Sequence, residues 1–306
     1  MPFVRDLVER SPWLDRFEPF PGFPGIAEQF FDARRATVFL QRMQVERFDL
    51  AVQLHGSGVS ANPFTLLLGA RATAGYVRPG DGAGHLDAAL TLPETGHEVE
   101  RALALPVFLG APERGLRPEF PLLPPDHAAA EAALRGLPRP LVAVHPAAWD
   151  PGKRWPPEGF AAVAMALQSR WGGTALVVAS AHERPAARAV AAGIRGRAVD
   201  LAGRVSLPVL GAVLARCAVV VTNDSGPAHV AYAVGAPSVT IFGDTEPARW
   251  GPIDGGPHAV VDGCGQVGRV TVEAVVAAAE RVADLAGAPA VSAPAVALDL
   301  RDQPAR

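Results

Sequence analysis

Val219-Val220-Val221-Thr222-Asn223-Asp224-Ser225-Gly226-Pro227-Ala228-His229-Val230-Ala231 is followed at once by Ala236-Pro237-Ser238-Val239-Thr240-Ile241-Phe242-Gly243-Asp244-Thr245. A β-branched apolar run of this kind reads as a buried parallel strand. It ends in a polar turn containing glycine, and Pro227 then stands where a first helical residue belongs. A strand thus feeds a helix through a tight loop, and a second apolar strand follows. The free amides at such a helix start, together with its positive dipole end, form a seat for a phosphate. Asp224, Ser225 and His229 surround that seat, so the stretch points to a ligand bearing phosphate.

Outward from it, strand and helix alternate. Leu141 to His145, Thr174 to Ser180, Val199 to Ala202, Ala218 to Thr222, Ser238 to Phe242 and Ala259 to Val261 read as strands. Glu183 to Gly193, Leu207 to Ala215, Ala228 to Val234 and Thr271 to Ala286 read as helices. This spacing implies a mostly parallel sheet with helices on both faces, whose ligands sit at the carboxyl ends of the strands. Earlier in the chain, Ala33 to Arg47 has helical periodicity and Phe48 to Gly56 switches to a strand, one step of a second doubly wound sheet. Phe17 to Phe20 reads as a short strand and Ala74 to Tyr76 as another. The Pro-rich stretch from 118 to 140 marks the domain boundary, giving units of 1–136 and 137–287, and the Pro- and Ala-rich residues 288–306 form a loosely ordered tail.

Composition removes several classes. The 306 residues are long enough for two ordinary cores, and a net charge of −3 argues against nucleic-acid binding driven by bulk electrostatics. Two cysteines, Cys217 and Cys264, lie far apart without a CxxC pair, so neither a disulfide framework nor a zinc site is indicated and a reducing cytoplasm fits. Met1 to Arg10 is charged and lacks the apolar core of a signal peptide, and no apolar run of spanning length occurs, so the sequence reads as neither exported nor membrane-spanning. The 31 glycines and 30 prolines stay short of the low-complexity range and punctuate turns.

Two further loops carry candidate chemistry. Lys153, in His145-Pro146-Ala147-Ala148-Trp149-Asp150-Pro151-Gly152-Lys153-Arg154-Trp155-Pro156, sits on a Pro/Gly-rich loop after the first strand of the second unit, where its ammonium can meet a diphosphate. Glu183 follows the next strand, where a carboxylate can accept both ribose hydroxyls; read blandly, it is a helix-start carboxylate that favours the dipole. Asp244 and Thr245 read equally well as turn residues. His55, His97 and Arg101 read as structural, and Trp155 as packing.

NDSGPAH, the second apolar strand, FGDTEPARWGP and the KRWP segment together resemble the glycosyltransferase family 9 proteins, the heptosyltransferases of lipopolysaccharide core assembly. The resemblance implies an α/β fold of the GT-B type, with two Rossmann-like doubly wound domains facing a cleft and the N-terminal one incomplete. It implies an inverting transfer of a sugar, ADP-heptose being the family's usual donor, to a lipopolysaccharide-core or other glycan or lipid-linked acceptor, with no metal and no cofactor. By position, Lys153 inherits stabilisation of the leaving diphosphate. Ala148, Trp149, Glu183, Val205, Asp224, Ser225, Gly226 and His229 inherit donor contacts, Val205 beside the nucleobase. The family's first strand and GD-containing loop, which carries its aspartate base, have no counterpart here, so the general base is unknown: either Met1 is not the natural start or the chain lacks that base. The alternatives are a catalytically idle nucleotide-sugar-binding protein and a sugar-nucleotide epimerase. A lipid-linked acceptor would bring a cytoplasmic protein into transient contact with the inner face of the membrane.

Overall fold

The computed structural model describes residues 4–82 and 84–287. The chain divides into two compact units, Met1–Pro121 with Ala248–Asp254, and the remainder from Leu122 onward.

The first unit contains α1 (Arg5–Glu9), α2 (Ala33–Glu46), β1 (Leu50–Gln53), α3 (Ala61–Leu67), β2 (Ala72–Val77), β3 (Ala88–Thr91) and α4 (Glu98–Phe108). Its three strands are parallel in the order β1-β2-β3, with Val52 opposite Ala74 and Ala74 opposite Ala88. α2 starts where Asp32 accepts from the Arg35 amide at 2.8 Å and stops at Arg47, in the left-handed region. Residues 17–20 form no strand: Pro19 and Pro21 bracket Phe20 and remove ladder donors. Phe20 instead packs edge-on against Phe64, with ring centroids 5.2 Å apart. β3, missed in the sequence, is an Ala-Ala-Leu-Thr strand with little β-branched content.

α4 carries Pro106 in its interior, which should break it. Next to it the buried Tyr76 hydroxyl enters the helical ladder: it accepts from the Leu105 amide at 2.9 Å and donates to the Arg101 carbonyl. Burial pushes its phenol pKa up, so the group stays a neutral donor. His97 caps the helix, Nδ1 accepting from the Val99 amide at 3.1 Å, and its Nε2 reaches the Gly251 carbonyl at 2.8 Å. Arg249 pairs with Glu98 at 2.5 Å. Those two contacts bind residues 248–254 to the first unit. Arg101, mostly buried, pairs with Glu98 and donates to the Pro93 carbonyl, a structural role.

The second unit holds α5 (Pro124–Ala133), β4 (Leu141–His145), α6 (Pro157–Trp171), β5 (Thr174–Val177), α7 (Arg184–Gly193), β6 (Ala198–Asp200), α8 (Leu207–Leu214), β7 (Val219–Asn223), α9 (Gly226–Ala233) and β8 (Ser238–Phe242). Past α10 (Pro247–Trp250), which passes into the first unit, come β9 (His258–Asp262) and α11 (Val272–Leu285). The chain changes units at residue 121, ahead of the boundary expected at 136, because α5 packs on α8 and Arg216, just past α8, meets His127 Nδ1 at 3.2 Å. The tail expected at 288–306 lies outside the described residues.

The sheet of the second unit is wholly parallel, ordered β6-β5-β4-β7-β8-β9. Val142, Val144, Val219, Val221, Val239 and Ile241 pack against Phe160, Val163 and Leu167 of α6 and Val275, Ala279 and Val282 of α11. Val219, Val220 and Val221 are fully buried, each contributing about 1.5–3 kcal/mol relative to an exposed side chain. Trp155 anchors the loop after β4, its indole donating to the Val270 carbonyl at 3.0 Å. A β-carbon on Gly159 would fall 2.6 Å from that ring, so only glycine allows α6 to approach it.

Candidate functional site

Strand order reverses between β4 and β7, where His145 pairs with Thr222. Loops that leave adjacent parallel strands in opposite directions open a crevice at their carboxyl ends. The polar residues gather there in two clusters.

The first is built on Asp224, which is 3% exposed. Its Oδ2 accepts from Lys153 Nζ at 2.7 Å and from Thr245 Oγ1 at 2.7 Å. Each partner is placed by its loop. Pro151–Lys153 forms a 3-10 turn, started by Asp150 Oδ1 accepting from the Gly152 amide at 2.9 Å, and this turn aims the lysine. Asn223 joins the loops, its Oδ1 accepting from the Trp155 amide at 3.1 Å and its Nδ2 donating to the Pro146 carbonyl at 2.9 Å. Thr245 is delivered by the turn after β8. A β-carbon on Gly243 would lie 2.7 Å from the Gly152 carbonyl oxygen, so that turn needs a glycine to close on the lysine loop.

The second cluster centres on His145, 2% exposed at the end of β4. Nδ1 lies 3.3 Å from Thr222 Oγ1 and 3.3 Å from Ser225 Oγ, and Nε2 lies 3.7 Å from Glu183 Oε2. The Glu183 carboxyl is pulled down to about 2 by the imidazole beside it, against the opposing effect of burial and with help from the Ser180 amide, which donates to it at 2.8 Å. Glu183 is therefore a carboxylate at neutral pH, set to accept.

Between the clusters α9 begins. Ser225 holds its N-cap position in extended backbone, but its side chain does not cap the helix and turns to His145 and the Asn223 carbonyl. A side chain on Gly226 would meet open space, so the helix start stands open to an approaching group. An anion there meets amide dipoles and, alongside, an ammonium.

Of the residues expected from sequence, Lys153 and Asp224 come together, as do Glu183 and Ser225 through His145. Lys153 faces Asp224 as an ion pair where the sequence suggested separate contacts to phosphate and sugar. Ala148 is buried, its carbonyl accepting from Arg154 Nε at 2.8 Å, and Trp149 next to it is 98% exposed. Val205 is half-buried in the bend before α8. The half-buried His229 stands edge-on to Tyr232, with centroids 5.7 Å apart. Sequence reasoning passed over His145 and Asn223 and left Thr245 undecided. The available signal was a polar residue closing an otherwise apolar strand for His145, and a Thr-Asn pair closing a valine run for Asn223. Among the described residues no group of three or more His, Cys, Asp or Glu side chains could hold a metal, and no helix is long and apolar enough to cross a membrane.

A Rossmann-like sheet with an ammonium and an open helix start at its switch point has the features with which folds of this class seat phosphate groups. Residues 36–262 match the family model described as glycosyltransferase family 9 (heptosyltransferase), and the chain belongs to that family. It is 35% identical over 120 residues to lipooligosaccharide heptosyltransferase 2 of Haemophilus influenzae, covering 38% of this chain and 34% of that protein. The chain thus spans about a third of the length of the curated relatives it matches. Among solved structures it is similar to a glycosyltransferase family 9 protein from Veillonella parvula, with a TM-score of 0.77 at 19% identity over 93% of this chain and 86% of that one. It is also similar to the E. coli ADP-heptose lipopolysaccharide heptosyltransferase II, with a TM-score of 0.75 at 21% identity over 93% and 88% of the two chains. The fold is the GT-B type, made of two Rossmann-like α/β units.

Proposed function

We propose that the chain is an inverting glycosyltransferase whose second unit binds a nucleotide diphosphate sugar of the ADP-heptose kind and whose acceptor is a lipopolysaccharide-core or other glycan. The observation that carries the reading is the Lys153–Asp224–Thr245 cluster beside the open start of α9, at the switch point of a Rossmann-like sheet. Breaking the bond between sugar and diphosphate develops negative charge on the leaving group. Groups that meet this charge as it forms lower the barrier. Lys153 supplies an ammonium and the amides following Ser225 supply oriented dipoles. Glu183 accepts from the ribose hydroxyls, and Asp224, on sharing its lysine with the phosphates, is left to accept from the sugar. Ala148, Trp149, Val205, Gly226 and His229 complete the donor site in this reading. An acceptor carried on lipid would bring the enzyme to the inner face of the membrane.

Calorimetry with ADP on the wild type and Lys153→Met tests the binding half. The expectation is saturable binding that weakens by at least about tenfold in the variant, the loss of one charge-assisted contact. Equal affinity in both proteins, or none in the wild type, refutes it. Incubation with ADP-heptose and a heptose-acceptor core glycan then tests transfer by release of ADP. Binding without release assigns the idle nucleotide-sugar-binding alternative, and interconversion of the free sugar nucleotide assigns the epimerase.

A further inference from the structure

We propose that His145 is a positioning residue that couples recognition of the ribose to recognition of the phosphates, one ring holding the Glu183 carboxylate on one side and the Ser225 hydroxyl on the other. The proposal rests on the nucleotide-diphosphate reading above.

A buried imidazole must satisfy both nitrogens, and His145, closing a strand otherwise wholly apolar, has these side-chain neighbours among the described residues: Thr222 and Ser225 at Nδ1, and Glu183 facing Nε2. The proton positions follow from the donor inventory. Thr222 Oγ1 lies 2.9 Å from the Asn223 carbonyl, nearer than the ring, and spends its hydrogen there. The Ser225 hydroxyl lies 3.2 Å from the same carbonyl and 3.3 Å from Nδ1 and is shared between them, while Nε2 turns its proton to the Glu183 carboxylate. The ring thus stands between the Ser225 hydroxyl and the Glu183 carboxylate, one nitrogen facing each.

Each of these two groups stands where a different part of the ligand binds: Ser225 opens α9, and Glu183 follows β5 ahead of α7. A ribose that draws on Glu183 polarises Nε2–H, and the ring in turn changes its hold on the Ser225 hydroxyl. A phosphate at Ser225 acts in reverse. Groups sharing one hydrogen-bonded network should lose their effects non-additively.

The experiment is a double-mutant cycle read by calorimetry with ADP on wild type, Glu183→Gln, Ser225→Ala and the double variant, repeated in a His145→Phe background. In the native background the double variant is expected to bind at least about threefold tighter than the product of the single losses predicts. With phenylalanine at 145 the two losses should multiply. The wild type should prefer ADP to 2′-deoxy-ADP, and His145→Phe should shrink that preference while inorganic pyrophosphate is affected less. A histidine that merely packs would lower the melting temperature and leave the coupling in place, which overturns the proposal. Multiplying losses in the native background overturn it whether or not the phenylalanine variant folds. If the wild type fails to bind ADP, the nucleotide reading falls and this proposal with it; if it binds and the losses multiply, this proposal falls alone.

Discussion

Replacing Lys153 by methionine keeps most of the side chain's volume and removes its charge, leaving the Asp224 carboxylate 3% exposed with Thr245 still donating at 2.7 Å. Breaking a fully buried ion pair by removing one partner costs about 3–5 kcal/mol. The lysine side chain is 23% exposed, so water already screens part of the attraction, and the threonine hydroxyl remains. A loss of about 2 kcal/mol follows. For a unit of this size that amounts to a fall of about 4–8 °C in melting temperature. Differential scanning calorimetry of wild type, Lys153→Met, Asp224→Asn and the double variant reads it directly. The double variant should recover at least about 1 kcal/mol of the summed losses, because it leaves no buried charge without a counter-charge. A Lys153→Met transition within about 1 °C of wild type, or losses that simply add, would refute the view that this pair is a buried, mutually dependent unit.

Glu183 gives a pH test. Its folded carboxyl lies at about 2, below the ordinary value of about 4.3. The stability it contributes is full above that ordinary value and is lost as pH falls toward the folded one. Glu183→Gln should therefore flatten the acid limb, the variant losing less of its melting temperature than wild type between about pH 5 and about pH 2; parallel limbs would contradict the His145 contact. Burial pushes the Cys217 thiol up to about 12, and its Sγ donates to the Val213 carbonyl at 3.3 Å, while Cys264 is exposed. Ellman's reagent on native protein should titrate one thiol quickly and the second only after denaturant; two fast thiols would contradict the packing of α8. Tyr76→Phe strips the Leu105 amide of its acceptor, a loss of about 1–3 kcal/mol. Thermal melts should show it with ADP affinity unchanged, and an unshifted melt would mean that the hydroxyl does not hold α4 at Pro106.

Periodicity and punctuation carried most of the second unit. A run such as Val219 to Val221 is stable only when buried on both faces, and the turn after it is polar because its backbone must stay solvated or meet a ligand, so strand, turn and helix start were legible from residue types. The first unit was harder to read. β3 lacks β-branched residues, and Phe17 to Phe20 looks like a strand until its prolines are weighed. α4 carries a proline beside a ladder step that a tyrosine distant in sequence bridges, joining the Leu105 amide to the Arg101 carbonyl.

What the sequence determined by itself is the local grammar: the alternation of strand and helix, the phosphate-seating turn, and the presence of Lys153, Glu183 and Asp224 in loops at strand ends. Tertiary structure alone decided which of these meet. Lys153 and Asp224 are 71 positions apart, and only the reversal of strand order between β4 and β7 brings their loops face to face. His145 looked like a strand's last residue until that register set Thr222 and Ser225 against one nitrogen and Glu183 against the other. Pairing across a sheet depends on strand order and register, which short-range patterns of hydrophobicity do not encode.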